Sequence, residues 1–218
     1  WTNPKTNEKF DGKNPLNPIG KRWIGLEGLD PAAKAHTGYG IQYLSPVNSE
    51  VGPLVVTHDQ LALDWNTVLL YPAGYFARRI PVAAQLRLPP AWSSASALEV
   101  ATIEGQVTSF RAVPVDTLVD SPLQAGRYFK RYDLAPGDKP EVHLDVFAER
   151  PELTELKPEL IALHRNLVQQ AYRLFGSQHF GHYDFLYSLS DTLSGAITIE
   201  HQCSAEYGFA ADEFSDWD

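Results

Sequence analysis

The 218-residue chain is 44% hydrophobic and 21% charged, the balance of a globular protein that can bury a core and hold one or two domains. Its formal net charge of −9 argues against a nucleic-acid partner, because phosphate binding needs a basic surface. Cys203 is the only cysteine, which excludes an internal disulfide and leaves the compartment open, periplasmic or secreted locations included.

No run approaches the roughly 18 apolar residues of a membrane span, and no charged-then-apolar leader opens the chain. Met is absent and the first residue is Trp1, so the chain reads as processed, truncated or engineered.

Residues 1–41 are dense in Asn, Pro, Gly and Lys, with short apolar pieces at Trp23–Leu26 and Tyr39–Ile41. From 42 to about 150 the chain reads as β. GPLVVTHDQLAL, WNTVLLYPAG, IPVAAQLRLPP, ALEVATIEGQVTSFRAV and EVHLDVFAE are apolar or alternating runs broken by Pro and Gly. Ala84, Leu86 and Leu88 alternate with Gln85 and Arg87, the period of a half-buried strand, and the spacing suggests a β-sandwich or a layered sheet domain.

One long helix is expected from about 152 to 176. Leu160, Leu163, Leu167, Ala171 and Leu174 recur at intervals of three and four, and Ile161, Val168, Tyr172 and Phe175 widen the stripe. Glu152, Glu155 and Glu159 suit its N-terminal end and Gly176 its stop. Residues 182–202 return to strand, with Asp184–Ser190 and Ala196–Gln202 expected in one sheet under the helix stripe. The fold class is thus mainly β with one long helix.

Several ordered motifs carry a family resemblance: Gln42–Pro46, LDWNTVLLYPAG at Leu63–Gly74, VDSPLQAGRYFK at Val119–Lys130, and HYDFLYSLSD leading to EH at His182–His201. Together they resemble the glycyl aminopeptidase family of zinc metallopeptidases, from 42 to 218. The resemblance implies an N-terminal β-sandwich-like domain (42–150), then a linker helix and the opening strands of a thermolysin-like catalytic domain (151–218). It implies a parent enzyme that removes N-terminal residues from peptides with zinc. Glu200 takes the place of the carboxylate that holds the substrate's free amino group, with His201 and Gly195 beside it as substrate-binding candidates. Ser204, Glu206 and Gly208 match the segment that follows. Ala196 and Thr198 stand where the family has glycines, and Cys203 and Ala205 where polar residues are common.

H-E-x-x-H is absent from the 218 residues. That motif sets two His one turn apart with a Glu as general base. The expectation is therefore a chain inactive by itself, with no catalytic residue, no metal ligand and no bound zinc, completed by a catalytic half outside it. Its expected substrate is a peptide with a free N-terminus. The alternative is a non-catalytic β-rich interaction or substrate-docking module.

Residues 1–41, with NPLNPIGKRWIGLEG and GYGI, resemble instead a fragment of the L,D-transpeptidase catalytic domain. Gln42 stands where that family has His, and its Ser-His-Gly-Cys element is absent. A cell-wall-related fragment is the weaker third reading.

Simpler readings apply to the remaining features. His179 and His182 form an H-x-x-H pair, but His182 suits a structural role beside Tyr183, and a metal needs three or four ligands. Asp184 and Asp191 are expected to cap turns or face solvent, and Cys203 to be a small packed residue of little reactivity.

Overall fold

A computed structural model describes residues 54–69, 71, 74–137, 140–191 and 198–214. The chain divides at Ser45/Pro46 into two units, and all described residues lie in the second. The expectations for residues 1–41 and for Gly195 fall outside the described residues, as does Ala196.

The first part of the unit is built of short strands. They are β1 (Leu54–Val56), β2 (Gln60–Leu63), β3 (Pro81–Val82), β4 (Gln85–Arg87), β5 (Ser93–Ser96), β6 (Val100–Glu104), β7 (Val107–Phe110) and β8 (Val113–Pro114). A short helix α1 (Val115–Val119) and β9 (Leu123–Gly126) complete it. Sheet β1-β2-β9-β5 and the smaller sheets β4-β7-β6 and β3-β8 are antiparallel throughout.

They share a core of Leu63, Trp65, Ala84, Leu98, Phe110, Leu118, Leu123 and Ala125. Gln85 and Arg87 face outward while Ala84 is buried, as the alternation predicts. WNTVLLYPAG is not a strand at its start: Trp65–Thr67 form a 3-10 turn that sends the Trp65 ring into the core, its Nε1 donating to the Ser121 carbonyl at 2.8 Å. At Gly126 a side chain would meet the Asp59 carbonyl oxygen at 2.9 Å, so only glycine lets these two backbones approach.

The second part is one five-stranded mixed sheet, order β10-β11-β12-β14-β13. It comprises β10 (Tyr128–Asp133), β11 (Glu141–Ala148), β12 (His182–Leu189), β13 (Thr198–Glu200) and β14 (Ser204–Phe209). β11 and β12 run parallel, which requires a crossover, and α2 (Pro158–Phe175) supplies it.

The helix begins later than expected. Pro151–Thr154 form a separate 3-10 turn, and Pro158, with no N–H to leave unpaired, opens α2. Glu152 and Glu155 therefore lie outside α2, leaving Glu159 in its first turn. Gly176 ends it at φ 65°.

The buried stripe is also narrower than the sequence suggests. Leu160 and Val168 are buried, and Ile161 and Tyr172 pack on the same core. Leu163, Leu167, Leu174 and Phe175 are exposed. His164 replaces them as an anchor. Its Nδ1 bonds the Leu160 carbonyl and its Nε2 the Tyr187 hydroxyl, both at 2.8 Å.

β12 and β13 share the sheet as expected, but β14 lies between them. Strand alternation gives the sheet two faces. Val142, Leu144, Val146, Ala148, Tyr187 and Leu189 pack on the α2 side. Phe129, Phe147 and Leu186 point the other way, against Ala95 of β5. Gln60 of β2 is buried and donates to the Leu189 carbonyl at 3.0 Å, tying the two parts together.

Candidate functional site

Glu200 closes β13, the last strand of the sheet among the described residues, and it is exposed. Its partner across the ladder is Ala205, so it lies on the α2 side, in line with Tyr207. The Glu200 charge helps raise the pKa of both Tyr207 and Tyr183, after burial, and Tyr183 reaches about 12. The carboxylate is thus electrostatically close to Tyr183 and Tyr207. No further strand lies beside β13 among the described residues, and an edge strand is where an extended peptide could be added.

The turn after Glu200 is fastened from the opposite side. The His201 N–H donates to the Ser204 carbonyl at 2.8 Å, closing the hairpin. The His201 ring is one-tenth exposed and lies 3.3 Å from both Asp120 Oδ1 and Glu206 Oε1. The Gln202 N–H donates to Asp120 Oδ2 at 2.9 Å. His201, expected beside the substrate, is thus turned inward as an anchor.

Burial opposes the His201 imidazolium, but Glu206 and Asp120 outweigh it and raise its pKa. Glu206 is itself buried and shares a hydrogen bond with Asp64. Burial first, then the Glu206 charge, pushes Asp64 up to about 6, with His201 opposing.

A second group of polar side chains was not assembled by the sequence reading. His143 of β11 stands opposite Asp184 of β12, and Arg131 of β10 opposite Asp145 of β11. Arg131 donates to Asp145 Oδ1 at 2.6 Å and Oδ2 at 2.8 Å, and to Asp184 Oδ1 at 3.3 Å. His143 Nδ1 lies 3.1 Å from Asp184 Oδ1, and His182 Nδ1 2.6 Å from Asp184 Oδ2.

Asp184 is therefore neither a turn cap nor solvent-facing. It is wholly buried, because its strand position points between the layers. Burial raises its pKa, but the bonds from His143 and His182 and the charges of His182 and Arg131 prevail and lower it. Its neighbour Asp145 is pushed the other way by burial.

Asp191 is exposed, and it accepts the Ala211 N–H at 3.1 Å from 20 residues along the chain. His179 bonds the Gln202 carbonyl at 2.7 Å and contributes no ligand to this cluster. Burial raises the Cys203 pKa, which disfavours its thiolate. No helix among the described residues is long and apolar enough to cross a membrane.

Residues 32–127 match the family model of the Peptidase M61 N-terminal domain. Among solved structures, the chain is similar to an aminopeptidase N family protein from Idiomarina loihiensis. The TM-score is 0.60 and the identity 16%, over 89% of this chain and 33% of that one. It is also similar to a mutant M1 zinc metallopeptidase from Deinococcus radiodurans bound to a Tyr-Ser-Ala substrate. There the TM-score is 0.47 and the identity 16%, over 80% of this chain and 41% of that one. This chain thus spans about a third of the length of the Idiomarina structure, and the likeness is one of fold. No curated protein matches it.

Proposed function

We infer that the chain is the N-terminal portion of a zinc-dependent aminopeptidase of the glycyl aminopeptidase kind, in which Glu200 receives the free amino group of a peptide. On this reading β10–β14 and α2 open a thermolysin-like catalytic domain, and the β layers before them are its N-terminal domain. Zinc, its ligands and the general base are contributed by a segment outside these 218 residues.

The observation that carries the reading is the placement of Glu200. It is an exposed carboxylate at the end of an edge strand, on a hairpin that His201, Asp120 and Gln202 hold in place. A peptide added antiparallel to β13 would form main-chain hydrogen bonds along the edge. Its terminal ammonium would then meet Glu200. His201 acts as a positioning residue for that carboxylate. The M61 N-terminal-domain match and the aminopeptidase-like fold support the same direction.

A charge-assisted bond between carboxylate and ammonium is worth about 1.5–3 kcal/mol. Glu200→Gln, introduced where the catalytic segment is present, should therefore lower kcat/KM on glycyl and alanyl anilides by roughly 10- to 150-fold. The 218-residue chain alone should show no turnover of these substrates, since metallopeptidase chemistry needs three protein ligands and an activated water. Measurable turnover by the isolated chain would contradict the division of labour proposed.

A further inference from the structure

The cluster around Asp184 plays no part in that reading. It lies on the face of the sheet turned away from α2, and its residues come from three adjacent strands. Alternation explains how they meet. His143 and Asp145 are two residues apart on β11, His182 and Asp184 two apart on β12, and Arg131 is level with Asp145 on β10. The cluster borders a cavity of about 450 Å³, also lined by Ser94, Ser96, Glu99 and Glu141.

Arg131 alone does not balance the charges. Asp145 and Asp184 are both fully buried, and a single guanidinium faces the pair. A buried carboxylate without a full countercharge is costly, so a further positive charge is called for. One protonated imidazole would be enough for that. Two imidazoles instead converge on one carboxylate, each on its own oxygen. Ligand atoms of His143, His182 and Asp184 all lie within 4.8 Å of one another, close enough for small side-chain shifts to bring them around one ion. Glu141 Oε2, 3.6 Å from His143 Nε2, adds to the negative field at the cavity mouth.

We propose that His143, His182 and Asp184 form a binding site for one divalent transition-metal ion, with its remaining coordination positions open to the cavity. Two imidazoles and one carboxylate select zinc, cobalt or nickel over calcium or magnesium, which prefer all-oxygen shells. Bonds of about 2.0–2.1 Å from each ligand require the present 2.6 Å contact of His182 with Asp184 to open by less than about 1 Å. Arg131, held by Asp145, serves as an outer partner that fixes the Asp184 carboxylate. The ion would tie β11 to β12 and take the place of a protonated imidazole as the second positive charge facing the carboxylates. By strand register this site lies on the opposite face of the sheet from Glu200.

The test uses the 218-residue chain after dialysis against a chelator. Cobalt(II) is titrated in, followed by visible absorption and by thermal melting. One cobalt per chain is expected, with a rise in Tm of several degrees and displacement by zinc. His143→Gln keeps a side-chain N–H for Asp184 but lacks the imidazole, and His182→Gln does the same. Each should weaken cobalt binding about tenfold or more, whereas His58→Ala, at an exposed site, should leave it unchanged.

Paramagnetically shifted ring protons of His143 and His182 in the cobalt-loaded wild type give a readout that needs no variant. Absence of cobalt binding by the wild type overturns the proposal. So does binding that survives both Gln substitutions, or shifted signals belonging to other histidines.

Discussion

The two faces of the five-stranded sheet are made by the same strands and do opposite things. Toward α2, β11 and β12 present Val142, Leu144, Val146, Tyr187 and Leu189, and the interface is packing. Toward the β layers, one residue further along, they present His143, Asp145, His182 and Asp184, and beyond them Phe147 and Leu186, so the interface is charge at one end of the strands and packing at the other. An apolar face tolerates its neighbours independently. A buried charged face does not, because each group there relies on the others for solvation. Stability and chemistry are thus separated by a single step along the strand.

Truncating one residue on each face is the strongest way to break this comparison. Leu144→Ala removes a fully buried side chain on the α2 side and should cost about 2–5 kcal/mol of unfolding free energy. Arg131→Leu leaves Asp145 and Asp184 buried without their guanidinium. It should cost about 2–4 kcal/mol, discounted because the Arg131 side chain is 43% exposed. Urea unfolding measures both. The comparison then sharpens with a second change. Asp184→Asn added to Arg131→Leu should recover part of the loss, whereas added to Leu144→Ala it should only lower stability further.

A smaller, pH-dependent effect belongs to the anchor under the Glu200 hairpin. The folded-state pKa of Asp64 is raised from 3.8 to about 6, so the folded protein holds a proton that the unfolded chain releases. The stability this contributes is complete below pH 3.8 and is lost as pH rises through 6. With Asp64 only half buried, the change should be about 1 kcal/mol, and Asp64→Asn should flatten it. Denaturant melts between pH 4 and 7 give the slope. The smallest effect is expected on the outer side of α2. Leu163→Ala should change stability by under about 0.5 kcal/mol, since Leu163 is exposed.

Much of this architecture was legible in the residues. EVHLDVFAE and HYDFLYSL read as strands and are β11 and β12, and the three-and-four spacing between them is α2. The helix start was misplaced because acidic residues favour a first turn wherever it lies, while Pro158 decided where it is. The stripe came out too broad because apolar residues fill more of α2 than one sheet face can cover.

β9 and β10 fall in the stretch that reads as β, whereas the short helix α1 interrupts it without a sequence signal of its own. The Asp184 cluster was illegible for another reason: His143 and Asp184 are 41 residues apart, and only the parallel register brings them level. One signal was available. H-x-D occurs twice, at His143–Asp145 and His182–Asp184, each inside an apolar strand where two polar groups share a face. Glu200 could be named from the family resemblance, but its position on an edge strand required the sheet.

The most direct measurement is the selectivity for a free amino terminus. With the catalytic segment present, rates are compared on a glycyl-led peptide and on its N-acetylated form, for wild type and Glu200→Gln. If Glu200 holds the ammonium, the wild type strongly prefers the free amine. The substitution then removes about 1.5–3 kcal/mol of that preference, acting on the free peptide alone. Equal loss on both peptides, or none on either, would contradict the assignment.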